Sequence, residues 1–135
     1  MTRILVVEDN ADNMKLFRWT LEDEGWEILE STSAEHALER LIDRAERVDA
    51  IVMDISLPGI DGKEATRRLR QRPEFAELPI LAATAHAIKE EDLAIRAAGV
   101  TDIVTKPIDE DLFVATMRKL VDHTAETSHG ARLSR

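Results

Sequence analysis

Five short apolar runs, at residues 4–7, 26–29, 50–53, 80–83 and 103–104, alternate with longer stretches whose apolar positions recur at helical spacing. No other feature of the chain constrains its fold as much. The amphipathic stretches cover 11–24, 34–46, 63–72 and 88–98, and a fifth, 110–121, follows the last run. Strands alternating with helices predict an α/β protein of (βα)5 type: a doubly wound parallel sheet with right-handed crossovers and a ligand crevice at the carboxyl ends of its strands. Runs 4–7 and 50–53 are almost continuously apolar, as central strands covered on both faces should be, whereas Glu27 interrupts the second run and marks an exposed edge. Gly25 and Gly99 stand where a helix should stop, Ser33 and Asp109 where one should begin, and Pro73 and Pro79 bracket a connector. Residues beyond Val121 lack apolar periodicity, so one domain at 1–121 and a flexible C-terminal tail at 122–135 are expected.

Composition narrows the chemistry. The formal net charge of −9 repels a phosphate backbone and argues against direct nucleic-acid binding. The absence of cysteine excludes disulfides, thiol catalysis and thiolate metal sites, leaving oxygen ligands as the main option for a metal. No apolar run approaches the roughly 20 residues that span a bilayer, and Met1-Thr2-Arg3 followed directly by Ile4 lacks signal-peptide architecture, so a cytoplasmic protein with no membrane partner is expected.

The strand ends carry the chemically informative residues. Glu8-Asp9 follows the first run, Asp54 the third, Thr84 the fourth and Lys106-Pro107 the fifth, and all four positions should meet on one rim. Acidic residues in such loops also cap helices, a sufficient reading for Asp9 or Asp54 taken singly. Together they crowd: two unit charges roughly 5 Å apart repel by about 3 kcal/mol at an effective dielectric of about 20. Lys106 offers one compensating charge, and Mg²⁺, which takes one or two carboxylates and leaves room for phosphate oxygens, fits the remainder better than Ca²⁺. The acidic turn Glu8-Asp9-Asn10-Ala11-Asp12 has no glycine and opposes a directly bound nucleotide. The consistent chemistry is a carboxylate nucleophile, Asp54, attacking a phosphoryl group, with Thr84 and Lys106 meeting its oxygens and Glu8 and Asp9 holding the metal directly or through water.

The set Glu8-Asp9-Asn10, Val52 to Gly62 with Asp54 and Pro58-Gly59 inside it, Thr84-Ala85 and Lys106-Pro107 resembles the receiver domain of bacterial two-component response regulators, over about residues 2–121. The resemblance implies a flavodoxin-like five-stranded sheet in the order 2-1-3-4-5. It further implies Asp54 as phosphoacceptor, Asp9 as a direct metal ligand, Glu8 acting through water, Ser56 through its main-chain carbonyl, and a cis Lys106-Pro107 bond. The implied partners are a histidine kinase or histidine phosphotransfer protein and a downstream protein target, with the chain a monomer or a phosphorylation-dependent dimer. Similarity of the Val7–Asn10 and Asn13–Phe17 segments points to single-domain phosphorelay or cell-cycle and development regulators.

Other features have two readings each. Where the family commonly has a switching aromatic residue, this chain has Ile103, which either repacks as Thr84 moves or is a plain core residue. Ser56 and His86 would flank the phosphoryl group, and His86 also reads as an exposed loop histidine. On the first helix Leu16, Phe17 and Leu21 share a buried face while Trp19 projects roughly 160° from Phe17. An exposed Trp19 beside the acid site, with Met14 and Pro107, would dock a kinase or phosphotransfer helix, or Trp19 lies flat over neighbouring side-chain stems. The Arg67, Arg68, Arg70 and Arg72 cluster reads as a solvated helix face. In the last helix Leu112, Thr116 and Leu120, flanked by Phe113, Met117 and Val121, should cover the sheet and leave a shared dimer face. An aspartyl-phosphate phosphatase or phosphotransferase of haloacid-dehalogenase type is the enzyme alternative, but it needs a second acid where Ser56 stands. A non-phosphorylated binding scaffold is the third.

Overall fold

Along Arg3–Val7 (β1) side chains alternate across the strand, and both sets are apolar: Ile4 and Val6 face one helical layer, Leu5 and Val7 the other. Such a strand must lie inside a sheet covered on both sides. The computed structural model describes residues 1–86 and 88–133, with side chains described as far as Asp122. After β1 come α1 (Ala11–Glu22), β2 (Glu27–Ser31) and α2 (Ala34–Leu38), the last running into a π-helical turn at Glu39–Asp43. Next are β3 (Ala50–Asp54), α3 (Gly62–Arg70), a 3₁₀ turn (Pro73–Phe75), β4 (Ile80–Thr84), α4 (Lys89–Ala98), β5 (Asp102–Thr105) and α5 (Glu110–Leu133). All pairings are parallel and the strand order is β2-β1-β3-β4-β5, the flavodoxin-like order. The strand interrupted by Glu27 is an edge, with Glu27 paired to Arg3 at 3.1 Å.

α1 and α5 cover one face, where the Phe17 and Phe113 rings meet at 5.2 Å. α2 and α3 cover the other, with Ala37, Leu41, Ala65 and Leu69 against Leu5, Ile51 and Met53, while Ile95 of α4 packs on Ile55 and Ala82. The helix starts are chemically specified: Asn10, Ser33, Asp61 and Asp109 each accept a hydrogen bond from the amide N–H three residues on, at 2.9 to 3.1 Å. Gly99 closes α4 with φ 110°.

Several boundaries differ from expectation. α1 stops at Glu22, not 24, and two turn bonds carry the chain to Gly25. The buried stripe of α1 is Met14, Phe17 and Leu21, with Leu16 at its edge, because i, i+3, i+7 spacing selects Met14. In α5 the stripe on the sheet is Phe113, Met117 and Val121, whereas Leu112, one position or about 100° away, is exposed. α5 also continues past Val121 to Leu133, since 122–129 contains neither glycine nor proline to stop a helix; residues 134–135 lie outside those described. No helix among the described residues is long and apolar enough to cross a membrane.

Candidate functional site

Sheet register assembles the site. Val7 lies opposite Met53, so Glu8, the next residue, leaves the sheet level with Asp54, the last residue of β3. Asp54 lies opposite Ala83 and Thr84 opposite Thr105, which steps Thr84 and then Lys106 along the same rim. Bonds just past the strands hold the rim together: Glu8 N–H donates to Ser31 O at 3.0 Å, Ile55 N–H to Ala83 O at 3.0 Å, and Lys106 N–H to Thr84 O at 2.7 Å. Gly62 packs so closely under the end of β3 that a Cβ there would lie 2.3 Å from the Asp54 carbonyl oxygen.

Carboxylate oxygens of Glu8, Asp9 and Asp54 lie within 4.8 Å of one another. Glu8 and Asp54 are buried, at 1 % and 3 % exposure, and Asp9 is open to solvent. Lys106 Nζ reaches into the group, 3.0 Å from Glu8 Oε1 and 3.3 Å from Asp54 Oδ1. Backbone amides supply two further donors: Asn10 N–H to Glu8 Oε2 at 3.1 Å and Ser56 N–H to Asp54 Oδ1 at 3.1 Å. Burial pushes the Glu8 carboxyl up to about 7 against the opposing pull of Asn10 and Lys106, and neighbouring Asp54 adds to the rise. Burial also opposes the Lys106 charge, but Glu8 and Asp54 outweigh it and hold the ammonium above its ordinary value.

Three carboxylates facing one ammonium leave an excess of negative charge in a pocket lined by oxygen donors. That donor set fits a small hard cation such as Mg²⁺ and suits neither a soft metal nor a bare phosphate.

Thr84 is buried, and its hydroxyl is engaged in its own loop, accepting from His86 N–H at 3.1 Å and donating to the His86 carbonyl at 3.3 Å. His86 is exposed. The Lys106-Pro107 bond is cis, as the resemblance implies, and Pro107 is exposed. Ile103 is half-buried on the α4 side beside Ile55, Ala82 and Ile95.

Docking candidates divide differently. Trp19 is 66 % exposed, but it lies eight residues into α1, about 12 Å along the helix axis, in a groove with α5 whose lining includes none of Glu8, Asp9 and Asp54. It is therefore not beside the acid site. Met14 is 6 % exposed within the core and presents no surface to a partner. Of the arginines, Arg67 and Arg68 pair with Glu64 and Arg72 with Glu74, whereas Arg70 turns inward to the Gly99 and Phe75 carbonyls.

Sequence reasoning missed the second role of Asn10, which caps α1 through its side chain while its amide fixes Glu8. The preference of Asn for helix caps, directly before Ala11, is the signal that reveals it. It also missed Glu35 of α2, whose carboxylate accepts from Ile60 N–H at 3.2 Å and so ties down the loop after Asp54.

Comparison with known proteins agrees with this geometry. The family profile of the response regulator receiver domain matches residues 4–118. The polar-differentiation response regulator DivK of Brucella anthropi is 37 % identical over 115 residues, covering 85 % of this chain and 92 % of that protein. Among solved structures, the receiver domain of the Pseudomonas aeruginosa sensor histidine kinase PA1611, described with a magnesium ion coordinated in its active site cleft, superposes with a TM-score of 0.82 at 29 % identity, over 90 % of this chain and 98 % of that one. The chemotaxis response regulator CheY4 of Vibrio cholerae gives 0.82 at 25 % identity, over 89 % and 98 %. With fold, rim and matches in agreement, the chain belongs to the response regulator receiver domain family.

Proposed function

We propose that this phosphorylation-dependent signalling protein takes a phosphoryl group onto Asp54 from the phosphohistidine of a histidine kinase or histidine phosphotransfer protein. The observation that carries the reading is the convergence of Glu8, Asp9 and Asp54 within 4.8 Å around the Lys106 ammonium. An Asp54 carboxylate oxygen bonds to phosphorus as the phosphorus–nitrogen bond breaks; the electron pair leaves with the imidazole, which is reprotonated from solvent. Lys106 pairs with one phosphoryl oxygen, and Thr84 leaves His86 to donate to another. Asp9, Asp54 and the Ser56 main-chain carbonyl, with Glu8 through water, would hold Mg²⁺. When bound there, the ion supplies charge neutralisation for the incoming phosphoryl group.

Signal then travels as Thr84 shifts and Ile103 repacks toward the space it leaves, altering the face made by α4, β5 and α5, where Leu93 and Leu112 are exposed. That face contacts the downstream target or, in the phosphorylated state, a second copy. Trp19 and Pro107 serve the phosphodonor. The reaction is self-modification followed by hydrolysis of the aspartyl phosphate, carried out in the cytoplasm. Ser56, at the position where a haloacid dehalogenase needs its second acid, speaks against a phosphatase.

Incubation with a phosphohistidine donor protein tests the assignment. Intact mass should show one added phosphoryl group, mapped to the peptide containing Asp54 and absent in Asp54→Asn. Label on that variant at wild-type extent would move the acceptor elsewhere.

A further inference from the structure

We infer that the groove between α1 and α5 is a docking site for a lysine- or arginine-rich amphipathic helix of a partner protein. The inference deepens the docking part of the function proposed above and rests on it. Two helices lying side by side on one face of the sheet leave an open trough of about 560 Å³, of the kind a third helix fills by setting its ridges between theirs. Leu16, Val114 and the largely exposed Trp19 supply the apolar part of its lining.

The walls are acidic. Asp23 and Glu24 lie in the turn just past α1, and Glu110 and Asp111 at the start of α5. Among the described lining residues Arg118 is the one cation, and its Nε and Nη2 grip Glu24 at 2.5 and 2.9 Å, so that pair answers its own charges and leaves the exposed Asp23, Glu110 and Asp111 for an occupant. Lys15 and Lys119 do not line the groove. Carboxylates on either side of the apolar residues Leu16, Trp19 and Val114 complement an occupant with an aliphatic stripe flanked by cations, and the face of Trp19 accepts a guanidinium or ammonium. An acidic or neutral helix would leave those charges unanswered. Because the acid pocket contributes nothing to the lining, a helix seated here leaves Asp54 accessible.

The test uses the full chain, ¹⁵N-labelled, at physiological salt. The probe is a designed helical peptide about five turns long, with Leu along one face and Lys flanking it. Its control replaces every Lys with Gln. The Lys peptide should shift the Trp19 indole signal and the amides of the α1 and α5 lining residues. Trp19→Ala and the pair Glu110→Lys/Asp111→Lys should each weaken binding about tenfold or more. The equally charged control pair Asp43→Lys/Glu90→Lys, both exposed and outside the groove, should stay within about twofold. Equal binding of the Gln peptide, equal damage from the control pair, shifts confined to another face, or self-association of the free chain through this groove would each overturn the inference. Labelling of Asp54 by a small acyl phosphate is followed in the wild type and in the control pair Asp43→Lys/Glu90→Lys, and should be equal in the two. Its failure in the wild type would count against the phosphoacceptor assignment alone, since the peptide is mapped on unmodified protein.

Discussion

Glu8 is the carboxyl whose ionisation the fold opposes most clearly, buried at the end of β1 and facing Asp54 with Lys106 as its counter-charge. Its raised value of about 7, against an ordinary 4.5, fixes the sign of a stability effect. Between those values the folded chain keeps a proton that the unfolded chain has released, so the contribution of Glu8 to stability falls as pH rises through that window and levels off above it. In metal-free buffer the wild type should lose about 3 kcal/mol relative to Glu8→Gln between about pH 5 and about pH 8, read by urea denaturation. Parallel profiles for the two proteins would show that burial does not hold the proton on Glu8. At this scale the sequence was informative wherever position alone decides, as for Asp54, Thr84 and Lys106 at successive strand ends. It was not where a residue acts through its backbone, as Asn10 and Ser56 do toward Glu8 and Asp54, since the identity of a side chain says little about where its amide points.

At the scale of the element, the start of α3 sets the position of the strand that ends in Asp54. Gly62 has no room for a side chain because the Asp54 carbonyl lies where its Cβ would go, whereas a Cβ at Gly25, after α1, meets nothing and would only strain a backbone at φ 85°. Gly25→Ala should therefore cost about 1–2 kcal/mol, from the left-handed conformation alone. Gly62→Ala should cost about 1–3 kcal/mol through backbone displacement and also slow phosphorylation of Asp54, which Gly25→Ala should leave at wild-type rate. Denaturant titration and a labelling time course separate the two; equal rates would mean that α3 does not position Asp54. Helix existence was readable from periodicity, and the capping roles of Ser33 and Asp109 from residue type. Helix faces were less so. In both α1 and α5 two apolar stripes lie about one residue apart, and packing against the sheet chose Met14, Phe17 and Leu21 in one and Phe113, Met117 and Val121 in the other. The π-helical turn that follows α2 has no signature in the apolar pattern of 34–46, because it changes hydrogen bonding without moving Leu41 out of the core.

At the scale of the whole molecule, parallel register converts residues 8, 54, 84 and 106 into one rim, and the order β2-β1-β3-β4-β5 centres that rim between β1 and β3, where the sheet order reverses. The central claim is that this rim is an acid pocket which works as a phosphoacceptor when a hard cation balances it. The most direct measurement is intact mass after incubation with a small acyl phosphate, with and without Mg²⁺, on the wild type and on Asp54→Asn. One phosphoryl group should appear on the wild type with Mg²⁺ present, and none on the variant or after Mg²⁺ is removed by chelation. Equal labelling with and without Mg²⁺, or undiminished labelling of Asp54→Asn, would contradict the account.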